Sequence, residues 1–307
     1  MAILDDYQNV ALATADWSPV SARADITVFT DHVADVDALV ERLAPFDVLM
    51  VMRERTPLPR SVIERLPRLR MIASTGPQNA SIDMAAAAEA GVHVAHTGGT
   101  VAATVELTWA LILGAARHLV TERQAVADGR WQTTVGRELD RRVLGVLGLG
   151  RIGARVARIG AAFGMDVVAW STNLTADAAQ EAGARYLPRE EFFAAADVLS
   201  IHLKLGERTR GLVGAAELST MKSTALLVNT SRGPIVDEAA LVEALRSGSI
   251  AGAALDVFDT EPLPADHPLR TWTNVLATPH IGYVADRPYR IFFRDAVNAI
   301  AEWLDSQ

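Results

Sequence analysis

The sequence predicts an α/β protein of two units, each built on a parallel sheet covered by helices. Three observations lead there. Short apolar runs alternate with helix-patterned segments along nearly all 307 residues. The runs of the second half are near-continuous rather than alternating, as in strands buried on both faces. The chain is also longer than one hydrophobic core usually serves, which favours two domains.

Taken in order, the runs 2–4, 26–29, 48–51, 71–73 and 92–95 read as strands. Between them, 35–43 has helical spacing and 84–90 has an alanine-rich, helix-forming composition. Residues 103–119 form a long helix candidate, apolar almost all round and so buried on several sides. A polar connector follows over 128–142, with Gly129, Trp131 and Gly136. A second series then supplies strands at 143–149, 167–170, 198–203, 225–229, 252–257 and 275–277. Six such strands suit a nucleotide-binding unit of two βαβαβ halves. Residues 290–304 are patterned as an amphipathic helix, and no solenoid repeat or low-complexity stretch interrupts the chain.

Composition narrows the function classes. With 29 basic and 37 acidic residues the formal charge is −8, a poor start for binding nucleic acid. The absence of cysteine excludes disulfides, thiolate zinc sites and cysteine nucleophiles, and suits a reducing cytoplasm. The first residues lack a basic segment before an uninterrupted apolar run, so they do not read as a signal peptide. The most apolar stretch, 107–116, is too short to cross a bilayer. We therefore expect a cytoplasmic protein with neither a membrane nor a nucleic-acid partner.

The most legible motif is Gly148-Leu149-Gly150-Arg151-Ile152-Gly153, after one strand and before a helix at 154–163. In that context the glycines have separate tasks. Gly148 permits the tight turn, Gly150 lets the backbone approach a pyrophosphate, and Gly153 lets helix and strand pack closely. The free N–H groups at the helix start, Arg151 and Ile152 among them, then hold the diphosphate of a dinucleotide. The next strand ends in Ser171, Thr172 and Asn173, where an NAD site usually places an acid. No acid here would repel a 2′-phosphate, yet no arginine follows closely to bind one, so NAD and NADP stay equally open. Lys204 either reaches that region or is an ordinary solvated lysine.

Three further segments carry polar residues at the carboxyl ends of strands, where ligands of open α/β sheets bind. They are 229–238 with Arg232 and Gly233, 255–264 with Asp256 and Glu261, and 278–282 with Pro279, His280 and Gly282. With the glycine turn, this order resembles the D-isomer-specific 2-hydroxyacid dehydrogenases, and the likeness covers nearly the whole chain. That family includes phosphoglycerate dehydrogenases, glyoxylate/hydroxypyruvate reductases and D-lactate dehydrogenases.

The resemblance implies a Rossmann-type nucleotide-binding domain at 98–282 and a flavodoxin-like substrate domain at 1–97, completed by 283–307. It implies hydride transfer between NAD(P)H and a small 2-keto or 2-hydroxy acid. His280 becomes the acid/base. Glu261 pairs with the other ring nitrogen and favours the imidazolium. Arg232 binds the substrate carboxylate or polarises the keto oxygen. Asp256 accepts from the nicotinamide carboxamide, and Thr104, Leu203, Lys204, Thr230, Ser231 and Gly282 join the cofactor set. Domain closure around the cofactor would exclude water. A homodimer through the nucleotide domain is also implied, with 103–119 suited to an interface helix. No metal is implied.

On the substrate side, the anion-cradling loop of the family matches 74–83. Gly76, Asn79 and Ile82-Asp83 fit, whereas Pro77 and Gln78 depart, and Pro77 removes one N–H donor. The donors at Thr75 and Gly76 are expected to remain. Arg53 reads either as a substrate contact or as a surface arginine. The family proline after His202 is also missing, and His202 reads as a packing residue. Trp109 reads as core, and Glu106 as a helix N-terminal acid. A dinucleotide sensor without turnover is the alternative of another class, and the retained Arg232, Glu261 and His280 argue against it. Formate dehydrogenase is disfavoured because a carboxylate at Glu261 suits proton transfer, which formate oxidation does not need. Adenosylhomocysteine hydrolase is disfavoured by the order of the three residues.

Overall fold

A computed structural model describes residues 1–307. It divides into two compact units, Met1–Thr100 with Ala285–Gln307, and Val101–Val284. The crossings expected at 97/98 and 282/283 fall at 100/101 and 284/285.

The first unit holds five strands: β1 (Ala2–Ile3), β2 (Thr27–Val28), β3 (Val48–Val51), β4 (Met71–Ser74) and β5 (His93–His96). All pairs are parallel, in the order β2-β1-β3-β4-β5. That is the doubly wound flavodoxin-like order. β3 and β4 are buried along their whole length, which is why they read as plain apolar runs. Asp35 and Asp83 cap the helices Val36–Leu43 and Met84–Glu89, each accepting a backbone N–H three residues on. The C-terminal helix Asp286–Asp305 completes this unit. It buries Tyr289, Phe292, Phe293, Ala296, Val297 and Ile300, a stripe at helical spacing.

The second unit holds β6 (Val143–Leu147), β7 (Asp166–Trp170), β8 (Arg185–Tyr186), β9 (Val198–Ile201), β10 (Leu226–Asn229), β11 (Gly252–Leu255) and β12 (Val275–Ala277). Their order is β12-β11-β10-β9-β6-β7-β8, and every pair is parallel. This is the Rossmann order with one strand added. The order of strand addition reverses between β6 and β9, the switch point where such sheets bind ligands. The sequence pattern shows six strands and not the seventh, β8, because a two-residue edge strand leaves no apolar run.

The helix expected over 103–119 spans Ala102–Ala116 and stops there, because His118 takes a left-handed backbone, φ 50°. A second helix, Leu119–Ala127, follows it. The all-round apolar character of the first has a plain cause. Val105, Trp109, Leu111, Ile112 and Ala116 are buried in the core with Leu144, Val146, Val228 and Ala254 of the sheet. No helix is long and apolar enough to cross a membrane.

Candidate active site

The glycine turn leaves β6 at its carboxyl end. Gly148 stands at φ 95°, and a Cβ there would come within 2.7 Å of Leu203 and 3.0 Å of the His202 carbonyl. A Cβ at Gly153, the first residue of the helix Gly153–Ala162, would be driven into the carbonyl of Gly148. Around Gly150, by contrast, nothing lies within 4 Å of a Cβ position. The N–H groups of Arg151 and Ile152 find no acceptor in the protein. Open space over one glycine, unpaired donors at a helix start and a topological switch point together fit a dinucleotide diphosphate.

At the end of β7, Ser171 is half-buried while Thr172 and Asn173 are exposed. The nearest following acid, Asp177, sits in the first turn of the helix Ala176–Glu181. Leu203 is half-buried and packs on the core, and its carbonyl accepts from Ser231 Oγ. Lys204 is exposed. Thr230 and Thr108 share a hydrogen bond of 2.8 Å, Thr108 donates to the Thr104 carbonyl at 2.7 Å, and Thr104 donates to the Gly282 carbonyl at 3.0 Å. These hydroxyls tie the helix Ala102–Ala116 to the ends of β10 and β12.

The three expected catalytic side chains all belong to the second unit. Glu261 Oε2 lies 2.6 Å from Nδ1 of His280. Its other oxygen accepts from the Phe258 N–H at 2.9 Å, which fixes the carboxylate. The contact is half-buried, with 18% of the His280 and 32% of the Glu261 side chain exposed. A carboxylate only accepts, so Nδ1–H donates, and Nε2 is the nitrogen left for proton exchange. The Tyr283 ring meets that of His280 edge-on at 5.4 Å.

Arg232 is placed by its neighbours. Asn229, at the end of β10, accepts from the Ser231 N–H at 3.0 Å and donates to the Arg232 carbonyl at 2.9 Å. Arg232 Nη1 donates to the Ser231 carbonyl at 2.7 Å. Gly233 allows the next step, since a Cβ there would be driven into the backbone of Phe258 and Asp259. The Arg232 turn therefore packs directly on the segment leading to Glu261.

Asp256 is fully buried. It accepts from Thr278 Oγ1 at 2.6 Å and from the N–H groups of Ile281 and Gly282 at 2.8 Å each. Burial raises its carboxyl above the usual range, against the pull of these three donors. It thereby clamps the turn in which His280 takes φ 52°. Asn229 and Thr278 have no role assigned from sequence. Their signal is a polar residue at or just after a strand end, two or three positions before a charged group, and only Asn229 is fully buried.

The substrate-side residues lie in the first unit, and one expectation about them is corrected. The N–H of Thr75 extends the β4 ladder to the Val51 carbonyl at 3.0 Å, and that of Gly76 goes to the buried hydroxyl of Thr97 at 2.7 Å. Neither remains for an anion. The N–H groups of Gln78 and Asn79 find no acceptor in the protein. Arg53 is not a free surface arginine: its side chain is 20% exposed and lies against Gly76.

Comparison with known proteins gives consistent results. Residues 109–282 match the family profile described as D-isomer specific 2-hydroxyacid dehydrogenase, NAD binding domain. A glyoxylate reductase of Aeropyrum pernix is 46% identical over 229 residues, 71% of this chain and 68% of that protein. A hydroxypyruvate reductase of Blautia hydrogenotrophica is 32% identical over 315 residues, 99% of this chain and 96% of that one. Among solved structures, a phosphoglycerate oxidoreductase from Vibrio cholerae superposes with a TM-score of 0.94 at 40% identity, covering 100% of this chain and 99% of the other.

Proposed function

We propose a reaction scheme for this chain, which belongs to the D-isomer-specific 2-hydroxyacid dehydrogenase family. It is an NAD(P)-dependent oxidoreductase that interconverts a small 2-keto acid and its D-2-hydroxy acid. The observation that carries the scheme is the 2.6 Å contact between Glu261 and His280 at the mouth of the parallel sheet that bears the glycine turn.

Gly148, Gly150, Arg151, Ile152 and Gly153 would hold a nicotinamide dinucleotide, whose chemistry would be hydride transfer to the carbonyl carbon in reduction and from the carbinol carbon in oxidation. His280 Nε2 gives its proton to the carbonyl oxygen in reduction and takes the hydroxyl proton in oxidation. Glu261 holds the ring through Nδ1 and stabilises the imidazolium by its charge. Arg232 binds the substrate carboxylate or polarises the keto oxygen; its fixed charge and forked donors serve both. Asp256 keeps the His280 turn in place. On the first unit, Arg53 contacts the substrate anion. Ser171 and Thr172 receive the adenosine ribose, and with no acid at the end of β7, NADP is accepted beside NAD. Thr104, Leu203, Lys204, Thr230, Ser231 and Gly282 complete the cofactor's surroundings.

The chain works as a homodimer in the cytoplasm. The exposed large apolar side chains of the second unit, Leu119, Val120, Val126, Trp131, Val135 and Phe163, support an interface there; Trp131 is 76% and Val135 92% exposed.

A panel of 2-keto acids run with NADH and with NADPH tests the scheme. Turnover of at least one acid is the expected result. Cofactor binding without turnover of any would overturn it. A strong preference for NADH would remove the argument from the missing acid.

A further inference from the structure

Glu261 lies on the long connection between β11 and β12, in which no residue from Asp259 to Asp266 is buried. Two successive N–H groups at its start each meet a carboxylate. That of Phe258 donates to Glu261 itself, at Oε1, over 2.9 Å. That of Asp259 donates to Glu238 Oε2 at 3.3 Å. Glu238 comes from another element, as the first residue of the helix Glu238–Ser247. Its other oxygen, Oε1, lies 3.2 Å from Nε2 of His267, beyond the exposed stretch. One carboxylate thus spans the two sides of the stretch that carries Glu261. Both partners are half-buried, with 25% of the Glu238 and 19% of the His267 side chain exposed.

His267 is itself held. Its Nδ1 accepts from the Leu269 N–H at 3.4 Å and caps the 3₁₀ turn Pro268–Arg270. Nε2 therefore carries the ring proton, on the side of Glu238. Leu269 anchors that turn in the core, and Arg270 reaches back to the carbonyls of Leu263 at 3.1 Å and Pro264 at 2.7 Å. Glu238 also follows Arg232 on the same chain segment, and Gly233 between them packs on the backbone of Phe258 and Asp259. The segment bearing the guanidinium and the loop bearing the carboxylate therefore meet at two points, one steric and one polar.

We propose that Glu238, with His267, is a positioning residue that keeps Glu261 on His280. The inference rests on the reductase reading above and adds no chemical step to it. Without Glu238 the Asp259 N–H loses its acceptor and competes with that of Phe258 for Glu261, drawing the carboxylate from its 2.6 Å contact with His280. A displacement on the ångström scale at a reacting pair costs up to about a hundredfold in rate. The loss should fall on kcat, since Glu261 serves the proton and not the dinucleotide.

Two variants of His267 divide its two contacts. His267→Asn keeps an acceptor for the Leu269 N–H, near the place of Nδ1, and falls short of Glu238. His267→Gln puts an amide NH₂ near the place of Nε2 and gives up the cap. With any 2-keto acid that the wild type turns over, His267→Asn should lower kcat about tenfold and leave KM for NADH unchanged. His267→Gln should keep more of the wild-type kcat. Glu238→Ala, which releases both sides, should lose the most. In a Glu261→Gln background none of the three should lower kcat further, because Glu238 acts through Glu261. Equal or reversed effects of the two His267 variants overturn the proposal. So do an intact kcat in Glu238→Ala, a rise in KM for NADH alone, and losses that add to that of Glu261→Gln. All of these leave the reductase reading standing. A wild type that turns over no keto acid overturns that reading, and this proposal with it.

Discussion

Glu261 and His280 are 19 residues apart in the chain, yet Oε2 of the one and Nδ1 of the other approach to 2.6 Å. Each belongs to a loop that follows its own strand, β11 and β12, which are hydrogen-bonded neighbours in the sheet. The register of that strand pair therefore sets the contact before any side chain is considered. Removing His280 should remove the proton donor, so His280→Ala should lower kcat by about 10²–10⁴. Glu261→Gln should cost less, because the ring stays. The double variant should be no worse than His280→Ala alone, since Glu261 acts through the imidazole. Steady-state kinetics of the three variants check this; additive losses would mean Glu261 acts elsewhere.

Arg232→Ala should raise KM for the keto acid and lower kcat together, since the guanidinium serves both binding and polarisation. KM for the dinucleotide should hardly move. Intact kinetics with the keto acid would remove Arg232 from the site.

Asp256 predicts a different signature. Its oxygens serve Thr278, Ile281 and Gly282, and Asp256→Asn leaves an NH₂ facing a donor in place of one of them. An unsatisfied buried donor costs about 1–3 kcal/mol. The variant should lose stability of that order in urea unfolding and lose kcat as the His280 turn loosens. Thr278→Val, which removes one donor and leaves both N–H bonds, should do less of both.

Two glycines of one motif should behave oppositely. Gly150→Ala meets open space, so its melting temperature should stay within about 2 °C of wild type. Its dinucleotide affinity should nevertheless collapse, because the methyl group occupies the space where the backbone must approach the diphosphate. Gly153→Ala meets the Gly148 carbonyl and should lose about 1–3 kcal/mol of stability. Thermal melts beside NADH titrations separate the two. An unchanged affinity in Gly150→Ala would place the cofactor elsewhere.

How much of this was legible in the residues depended on range. β3, β4 and β9–β11 showed as apolar runs because both their faces are buried. The helix Leu119–Ala127 gave no stripe, and Ala125 is its one buried side chain. Arg232, Glu261 and His280 were readable because each stands shortly after its own strand. The fate of the Thr75 and Gly76 donors was not, since it depends on Val51 and on the hydroxyl of Thr97, both more than twenty positions away. Arg53 stayed open between a substrate contact and a surface residue for a similar reason: a lone arginine carries no sign that it will fold over a glycine of another loop.

His202 lies outside the chemistry but couples stability to pH. Its Nε2 meets the fully buried Ser200 Oγ at 2.8 Å, and burial pushes its pKa down to about 3, from an ordinary 6.5. The ring is therefore neutral in the folded chain. The unfolded chain takes up a proton below about pH 6.5, which the folded chain refuses until about pH 3. Stability is thus full above that upper limit and falls as the pH drops through the window, by up to about 1.4 kcal/mol per pH unit. Between about pH 7.5 and pH 5 the loss from this one residue should approach about 2 kcal/mol. His202→Asn removes the titrating group and keeps a polar partner for Ser200. Urea unfolding at the two pH values should show the variant losing less stability than the wild type on acidification. Equal losses would mean that His202 takes up its proton without unfolding, and that the burial around it yields.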